Sequence, residues 1–152
     1  MRTSNNVRAI IGNDQAQLVL LRRTRPDRPV YWVLPGGGVE DTDASLEAAM
    51  HREVFEEMGV TVQIVRQVVR LPGKEPKIYN LFLCRLLTLD PSQRNGPEFS
   101  DPERGLFDID LVASDSATLA QLNLRPETIK AFRIDFFSRS IDGVQDLSTN
   151  AG

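Results

Sequence analysis

The order of β-type and helical patterns along this chain predicts an α/β (α+β) domain, a mixed sheet covered by helices on its faces. Three observations carry that expectation. Two short apolar runs flank a turn near the start (VRAIIG and QLVLLRR), one strongly amphipathic helix follows a triple glycine, and two longer β-type runs come after that helix. No repeat, low-complexity tract or linker divides the 152 residues, which suit one core and one domain over 1–152.

Val7 to Gly12 and Gln17 to Arg23 read as a hairpin around Gly12-Asn-Asp14. Arg22 to Pro29 (RRTRPDRP) reads as a proline-broken loop carrying four arginines, and Val30 to Leu34 as a short aromatic strand. Pro35-Gly-Gly-Gly38 ends that strand with backbone freedom that lets another group approach the main chain closely.

Asp43 to Met58 is the strongest helix. Asp43 or Ser45 caps its start and Gly59 stops it. Leu46, Met50, Val54 and Met58 recur every fourth residue beside Ala49, which gives one apolar stripe. Val60 to Leu71 and Lys77 to Leu87 read as strands joined by the loop Pro72-Gly-Lys-Glu-Pro76. Asp90 to Arg104 is turn-rich, and Gly105 to Val112 reads as a last strand. Pro126 to Arg139 is expected to form a second amphipathic helix, and the polar stretch 140–152 a flexible tail.

Composition narrows the chemistry. With a net charge of −3 and no basic stripe, the chain does not read as a nucleic-acid binder. The longest apolar run, Val30 to Leu34, is too short to span a bilayer, and the start MRTSNNVR lacks an apolar signal core. A cytoplasmic location is the expectation. Cys84 is the only cysteine and His51 the only histidine, so neither a disulfide nor a Cys/His zinc site can be assembled. Cys84 reads as buried packing within an apolar run. No G-x-S-x-G elbow accompanies His51, which leaves carboxylates, and carboxylates work with hard metal ions.

Those carboxylates are crowded. In HREVFEEMG (51–59), Glu53 lies one helical turn from Glu56 and Glu57. Like charges at that spacing cost about 0.2–0.5 kcal/mol per pair. A solvated acidic face would tolerate the cost; a bound divalent cation would remove it, and Mg²⁺ is typically held by one or two carboxylates plus phosphate oxygens.

These residues resemble the box of the Nudix hydrolases, G-x5-E-x7-R-E-U-x-E-E-x-G-U, where U is aliphatic. Arg52, Glu53, Val54, Glu56, Glu57, Gly59 and Val60 fill its second half, and Pro35-Gly-Gly-Gly-Val-Glu40 is similar to its glycine-rich entry. One departure stands out. Counted from Gly38 the first box acid falls on Ala44, and counted from Gly37 it falls on Asp43, with eight residues before Arg52 instead of seven. Asp43 is the shorter acidic substitute, and the resemblance suggests that it pairs with Arg52.

The resemblance implies an α/β/α sandwich and hydrolysis of a nucleoside diphosphate linked to a group X. It implies Mg²⁺, with Mn²⁺ as an alternative, on Glu53, Glu56, Glu57 and a main-chain carbonyl of Gly37 or Gly38. Glu56 would be shared with Arg52. The general base would be a box glutamate or a later loop acid, for which Glu98 and Glu103 are the candidates. Gly36, Gly37 and Gly38 would approach the substrate. Arg22, Arg23, Arg25 and Arg28 form the nearest basic cluster, which reads either as phosphate-binding or as an exposed loop. Tyr79 stands near a spacing that resembles dinucleoside-polyphosphate subgroups, and Pro76 one that resembles ADP-ribose-cleaving ones. Tyr31 and Trp32 read as strand packing or as base-stacking rings. The expected partner is a small nucleotide, with the chain a monomer or homodimer. The rival readings are a Nudix-like binding or regulatory module that has lost hydrolysis, and a nucleic-acid-associated domain, which the acidic balance disfavours.

Overall fold

The computed structural model describes residues 4–73, 76–94 and 106–125. Its elements run β1 (Ser4–Gly12), β2 (Gln17–Arg25), β3 (Arg28–Val33), β4 (Gly36–Gly38), α1 (Leu46–Met58), β5 (Val60–Pro72), β6 (Lys77–Leu89), a 3₁₀ turn (Pro91–Gln93), β7 (Leu106–Ala113), α2 (Ser116–Gln121) and β8 (Leu124–Arg125). The main sheet is ordered β5-β6-β1-β2-β3-β8, with β4 on β1 and β7 on β2.

β1 is the central strand. It pairs in parallel with β6 from Ser4↔Lys77 to Gly12↔Arg85, and its other edge is divided. The first part takes β4 (Asn6↔Gly38 to Arg8↔Gly36), and the end takes β2 at Gly12↔Leu18. β2 then leaves β1 to pair with β3 and β7. That branching curls the sheet around α1, and three register shifts in the long β5–β6 ribbon add local twist.

Alternation along the strands sorts the core into two layers. Val7, Ala9 and Ile11 of β1 and Val19 and Leu21 of β2 meet Ala49, Met50, Val54 and Met58 of α1 on one face. Ile10, Leu18 and Leu20 point the other way, toward Leu81, Leu83, Leu119 and Leu124. The stripe expected on the helix is the buried one, with Leu46 packed at its rim. Truncating a side chain as fully enclosed as Met50 costs about 2–5 kcal/mol.

Several expectations are corrected. The arginine-rich segment is not a loop: β2 runs to Arg25, β3 starts at Arg28, and only the turn between them stays irregular. The triple glycine is not a free turn but a three-residue strand, because Ala9 donates to Pro35 O (2.8 Å) and Val39 to Asn5 O (3.0 Å) on either side of it. α1 begins at Leu46 with Ser45 as cap, its Oγ accepting from the Ala48 N–H at 3.0 Å, so Asp43 stays outside the helix. α2 and β8 were not expected at all; six and two residues are too short for periodicity to register. The helix expected over 126–139 and the tail 140–152 lie outside the described residues. Among the described residues no helix is long and apolar enough to cross a membrane.

Gly59 closes α1 at φ +67°, with its N–H donating to Phe55 O at 2.8 Å. A Cβ there would meet the carbonyl of Asp90, the residue whose N–H bonds back to Gly59 O. Gly59→Ala should therefore cost more than the roughly 1–2 kcal/mol of the left-handed conformation alone. A urea midpoint lowered with an unchanged m-value is the expected readout.

Candidate active site

The site is built where β4 lies under α1. Gly36 has φ +146°, and a Cβ there would collide with the Val7 carbonyl of β1. Only glycine admits this approach, and it turns the Gly36 N–H toward the helix. That N–H donates to Glu57 Oε1 at 2.9 Å in a buried setting. Gly37 follows against Glu53: a Cβ on it would sit 2.5 Å from a Glu53 carboxylate oxygen. Two of the three box glutamates are thus fitted to the bare backbone of the glycine strand.

Arg52 organises the rest. Its Nε and Nη2 donate to the two oxygens of Asp43 at 2.9 and 2.8 Å, a bidentate fork. Nη2 also reaches Gly38 O at 3.1 Å, while Nη1 donates to Glu53 Oε1 at 3.0 Å and Glu56 Oε2 at 3.2 Å. Glu40 lies 3.6 Å away at the exposed rim. The hydrogen bond from Arg52, then that from the Glu40 N–H, holds the Asp43 carboxyl at about 2. In return, chiefly through Asp43, the guanidinium is held more firmly charged than usual. The pairing of Asp43 with Arg52 is present, and the extra residue before Arg52 is absorbed between Asp43 and the Ser45 cap.

Glu53 and Glu57 are largely enclosed, and Glu56 is the most open of the three, with 34% of its side chain exposed. As the side chains stand, no three His, Cys, Asp or Glu residues among those described are grouped to hold a metal ion. The reason is local: Glu53 and Glu56 are turned onto Arg52, and Glu57 onto Gly36. The donor chemistry still fits a hard divalent cation, since carboxylate oxygens and a main-chain strand without side chains share one helix face.

The structure disperses the other candidates. Arg22 and Arg23 are successive strand residues and face opposite sides of the sheet. Arg22 pairs with Asp108 at 3.3 Å on an exposed edge. Arg23 stacks 3.7 Å over the Phe107 ring and 5.7 Å from that of Tyr31. Arg25 sits in register with Arg28 at the end of the β2–β3 pair. Tyr79 is buried in the core layer away from α1, with Arg8 5.6 Å above its ring, so it is not brought to the acidic helix. Trp32 is strand packing, its Nε1 donating to Asp110 at 2.9 Å. Pro76 precedes β6, its carbonyl accepting from the Ser4 N–H. Glu98 and Glu103 lie outside the described residues. Cys84 is buried, and burial pushes its thiol up to about 12.

Arg94 is a residue that no sequence pattern singles out. Its Nε donates to Glu57 O and its Nη2 to Phe107 O, both at 2.8 Å, which ties the last turn of α1 to β7. A cation at a helix C-terminus is a known stabilising placement. A lone arginine among turn-forming residues offered no pattern to find it by.

With this geometry in view, the chain belongs to the NUDIX domain family, whose model matches residues 2–128. The class comprises hydrolases acting on phosphoric anhydride bonds. An ADP-ribose-responsive transcriptional repressor of Acinetobacter baylyi is 36% identical over 66 residues, covering 41% of this chain and 26% of the repressor. An RNA pyrophosphohydrolase of Ruthia magnifica is 33% identical over 67 residues, covering 44% and 35%. The matched stretch thus spans about a third or less of those curated relatives. A crystal structure of an ADP-ribose pyrophosphatase from Streptococcus suis is 23% identical, with a TM-score of 0.65 over 91% of this chain and 92% of that one, which supports the fold.

Asp43 should titrate near 2 by NMR, well below the unperturbed value of about 3.9. A carboxyl depressed in the folded state adds stability that is complete above its unfolded pKa and is lost as pH falls through its folded one. Asp43→Asn should therefore lower stability at neutral pH and flatten the acid limb between about pH 4 and pH 2. Thermal melts across that range check both effects.

Proposed function

We propose that this protein hydrolyses a nucleoside diphosphate linked to a group X, releasing a nucleoside monophosphate and phosphorylated X. The observation that carries the reading is the Glu57 carboxylate, buried on the Gly36 N–H beside a Glu53 carboxylate packed on Gly37. Glu53 already has the Arg52 guanidinium at 3.0 Å as its counter-charge. What supports the reading is the gathering of carboxylate oxygens beside a main-chain strand without side chains, the donor set that a hard divalent cation takes.

Glu53, Glu56, Glu57 and the Gly37 carbonyl would hold Mg²⁺ or Mn²⁺. Such an ion acidifies bound water and neutralises phosphate charge. The residues supply the rest. Arg52 neutralises Glu53 and Glu56 in the interim, and the Asp43 fork gives it a fixed resting place when they turn away. Of the three glycines, Gly38 is the one where an added Cβ would meet nothing within 4 Å, and there the anhydride would have room to lie against main chain. The general base would be a box glutamate or a later loop acid, Glu98 or Glu103. Among the box acids Glu56 is the most solvent-open, which suits it to take a proton from water when it is not holding the ion. Arg22 and Arg23 approach from β2, on different faces, so at most one of them serves a given phosphate.

A second reading is a ligand-responsive regulatory module without turnover. It is favoured by the likeness to the repressor and by the inward-turned carboxylates. Release of nucleoside monophosphate decides between the two. A panel of nucleoside triphosphates, nucleotide sugars, ADP-ribose and dinucleoside polyphosphates with Mg²⁺, against an EDTA control, should show metal-dependent cleavage of at least one member. Glu57→Gln should lower kcat by about 100-fold or more while leaving the melting transition in place. Full activity in that variant would overturn the metal-ligand assignment, and a silent panel would favour the regulatory module.

A further inference from the structure

Glu57 is held at both of its ends by groups outside α1. Its carboxylate accepts from the Gly36 N–H at 2.9 Å, and its main-chain carbonyl accepts from Arg94 Nε at 2.8 Å. The first contact belongs to the acidic site. The second joins the same residue to a side chain 37 positions later in the sequence.

The last carbonyls of a helix have no donor four residues ahead. Here the chain leaves α1 at Gly59, whose N–H turns back to Phe55 O and Val54 O. The Glu57 carbonyl would need the Thr61 N–H, and Thr61 already lies in β5. Arg94 Nε takes that place. The arginine is delivered by a preformed support. The Asp90 N–H donates to Gly59 O at 2.9 Å, the Gln93 N–H to Asp90 O at 3.0 Å and the Arg94 N–H to Pro91 O at 3.1 Å. The Asp90 carboxylate caps this 3₁₀ turn by accepting from the Ser92 N–H at 3.1 Å and its hydroxyl at 2.6 Å. Nη2 of Arg94 donates to Phe107 O of β7 at 2.8 Å. One planar group thus bridges the Glu57 carbonyl and β7, on a turn bonded to the residue that ends the helix.

The hold is selective. Glu53 lies one turn earlier, inside the helical hydrogen-bond ladder. Fraying of the last turn would move Glu57 and leave Glu53 on Arg52 and Gly37.

We propose that Arg94 is a positioning residue for Glu57: by holding the last turn of α1, it keeps the Glu57 carboxylate on the Gly36 N–H beside Glu53, where a divalent cation would be held. The proposal rests on the hydrolase reading for the role of Glu57 as a metal ligand. Arg94 acts through Glu57 and is not itself a ligand. Lysine at this position keeps a cation at the helix C-terminus but lacks the rigid pair of donors. Arg94→Lys therefore separates positioning from charge.

Two readouts need no turnover. In the metal-free protein, Arg94→Lys should make the Gly36 amide exchange its hydrogen about fivefold faster or more, the protection of roughly one hydrogen bond. The nearby Ala9 N–H, bonded to Pro35 O, should keep its rate. Titration with Mn²⁺ in the absence of nucleotide, with free ion followed by electron paramagnetic resonance, should give a Kd raised by about tenfold. Arg94→Gln should show both effects. Asn123→Ala is the matched control: it removes a side-chain bond to a distant carbonyl, Nδ2 to Val30 O at 3.2 Å, where β8 pairs with β3 at the far edge of the sheet. It should lower the melting temperature and leave both readouts alone. With a cleaved nucleotide in hand, Arg94→Lys should raise the Mg²⁺ concentration for half-maximal rate and leave KM for the nucleotide unchanged.

Unchanged Gly36 exchange in Arg94→Lys, or an equal loss of protection in Asn123→Ala, overturns the positioning role. Faster Gly36 exchange with Mn²⁺ affinity untouched overturns its link to the ion. A wild-type protein that binds no Mn²⁺ refutes the metal reading of Glu57, and Gly36 exchange then still decides whether Arg94 positions that side chain.

Discussion

The guanidinium of Arg52 is the constraint on which the acidic site depends. A guanidinium has five N–H donors, and all five are spent: two on Asp43, one each on Glu53, Glu56 and the Gly38 carbonyl. Three carboxylates and the glycine strand are therefore oriented by one planar group. Lysine could not replace it, because a compact ammonium with three donors cannot serve a fork and a fan at once. Asp43 keeps the group from following Glu53 and Glu56, so the helix acids can exchange partners without losing the loop that precedes them.

The glycine strand works by a different constraint, steric and not electrostatic. Gly36 is pressed on the Val7 carbonyl and Gly37 on the Glu53 carboxylate, so the acids are positioned by what the backbone lacks. The packing of α1 underneath is the ordinary part: four buried residues on one stripe fix its rotation, which decides that Glu53 and Glu57 face β4 and not solvent. Arg94 then fixes the helix end against β7. Rotation, tilt and approach each have a separate physical origin.

Much of this was legible in the chain. The helix, its stripe, its glycine stop and the four long strands follow from periodicity, and the pairing of Asp43 with Arg52 from the box resemblance. In Arg22 to Pro29 two prolines and four arginines suggest a loop, yet β2 extends into it because β7 offers β2 a full partner edge, from Gln17↔Ala113 to Thr24↔Leu106. Tyr79 was drawn toward the substrate by spacing alone, and strand alternation sends it to the opposite layer. The roles of Arg94 and Asn123 depend on partners distant in sequence, 37 and 93 residues away, which no local pattern encodes.

The parallel pairing of β1 with β6 has a consequence for how the chain comes together. Asn80 bonds to Asn5 and Asn6, residues 75 and 74 positions earlier, so the middle of the sheet joins two segments made far apart in time. Loop closure over that span is slow compared with local helix or hairpin formation. During synthesis β1 leaves the ribosome with one long edge unpaired until β6 follows, and an unpaired apolar edge is a template for pairing with another chain. The polar start of β1, Ser4-Asn5-Asn6, supplies the asparagines that later bond to Asn80, and it leaves that waiting edge partly hydrophilic.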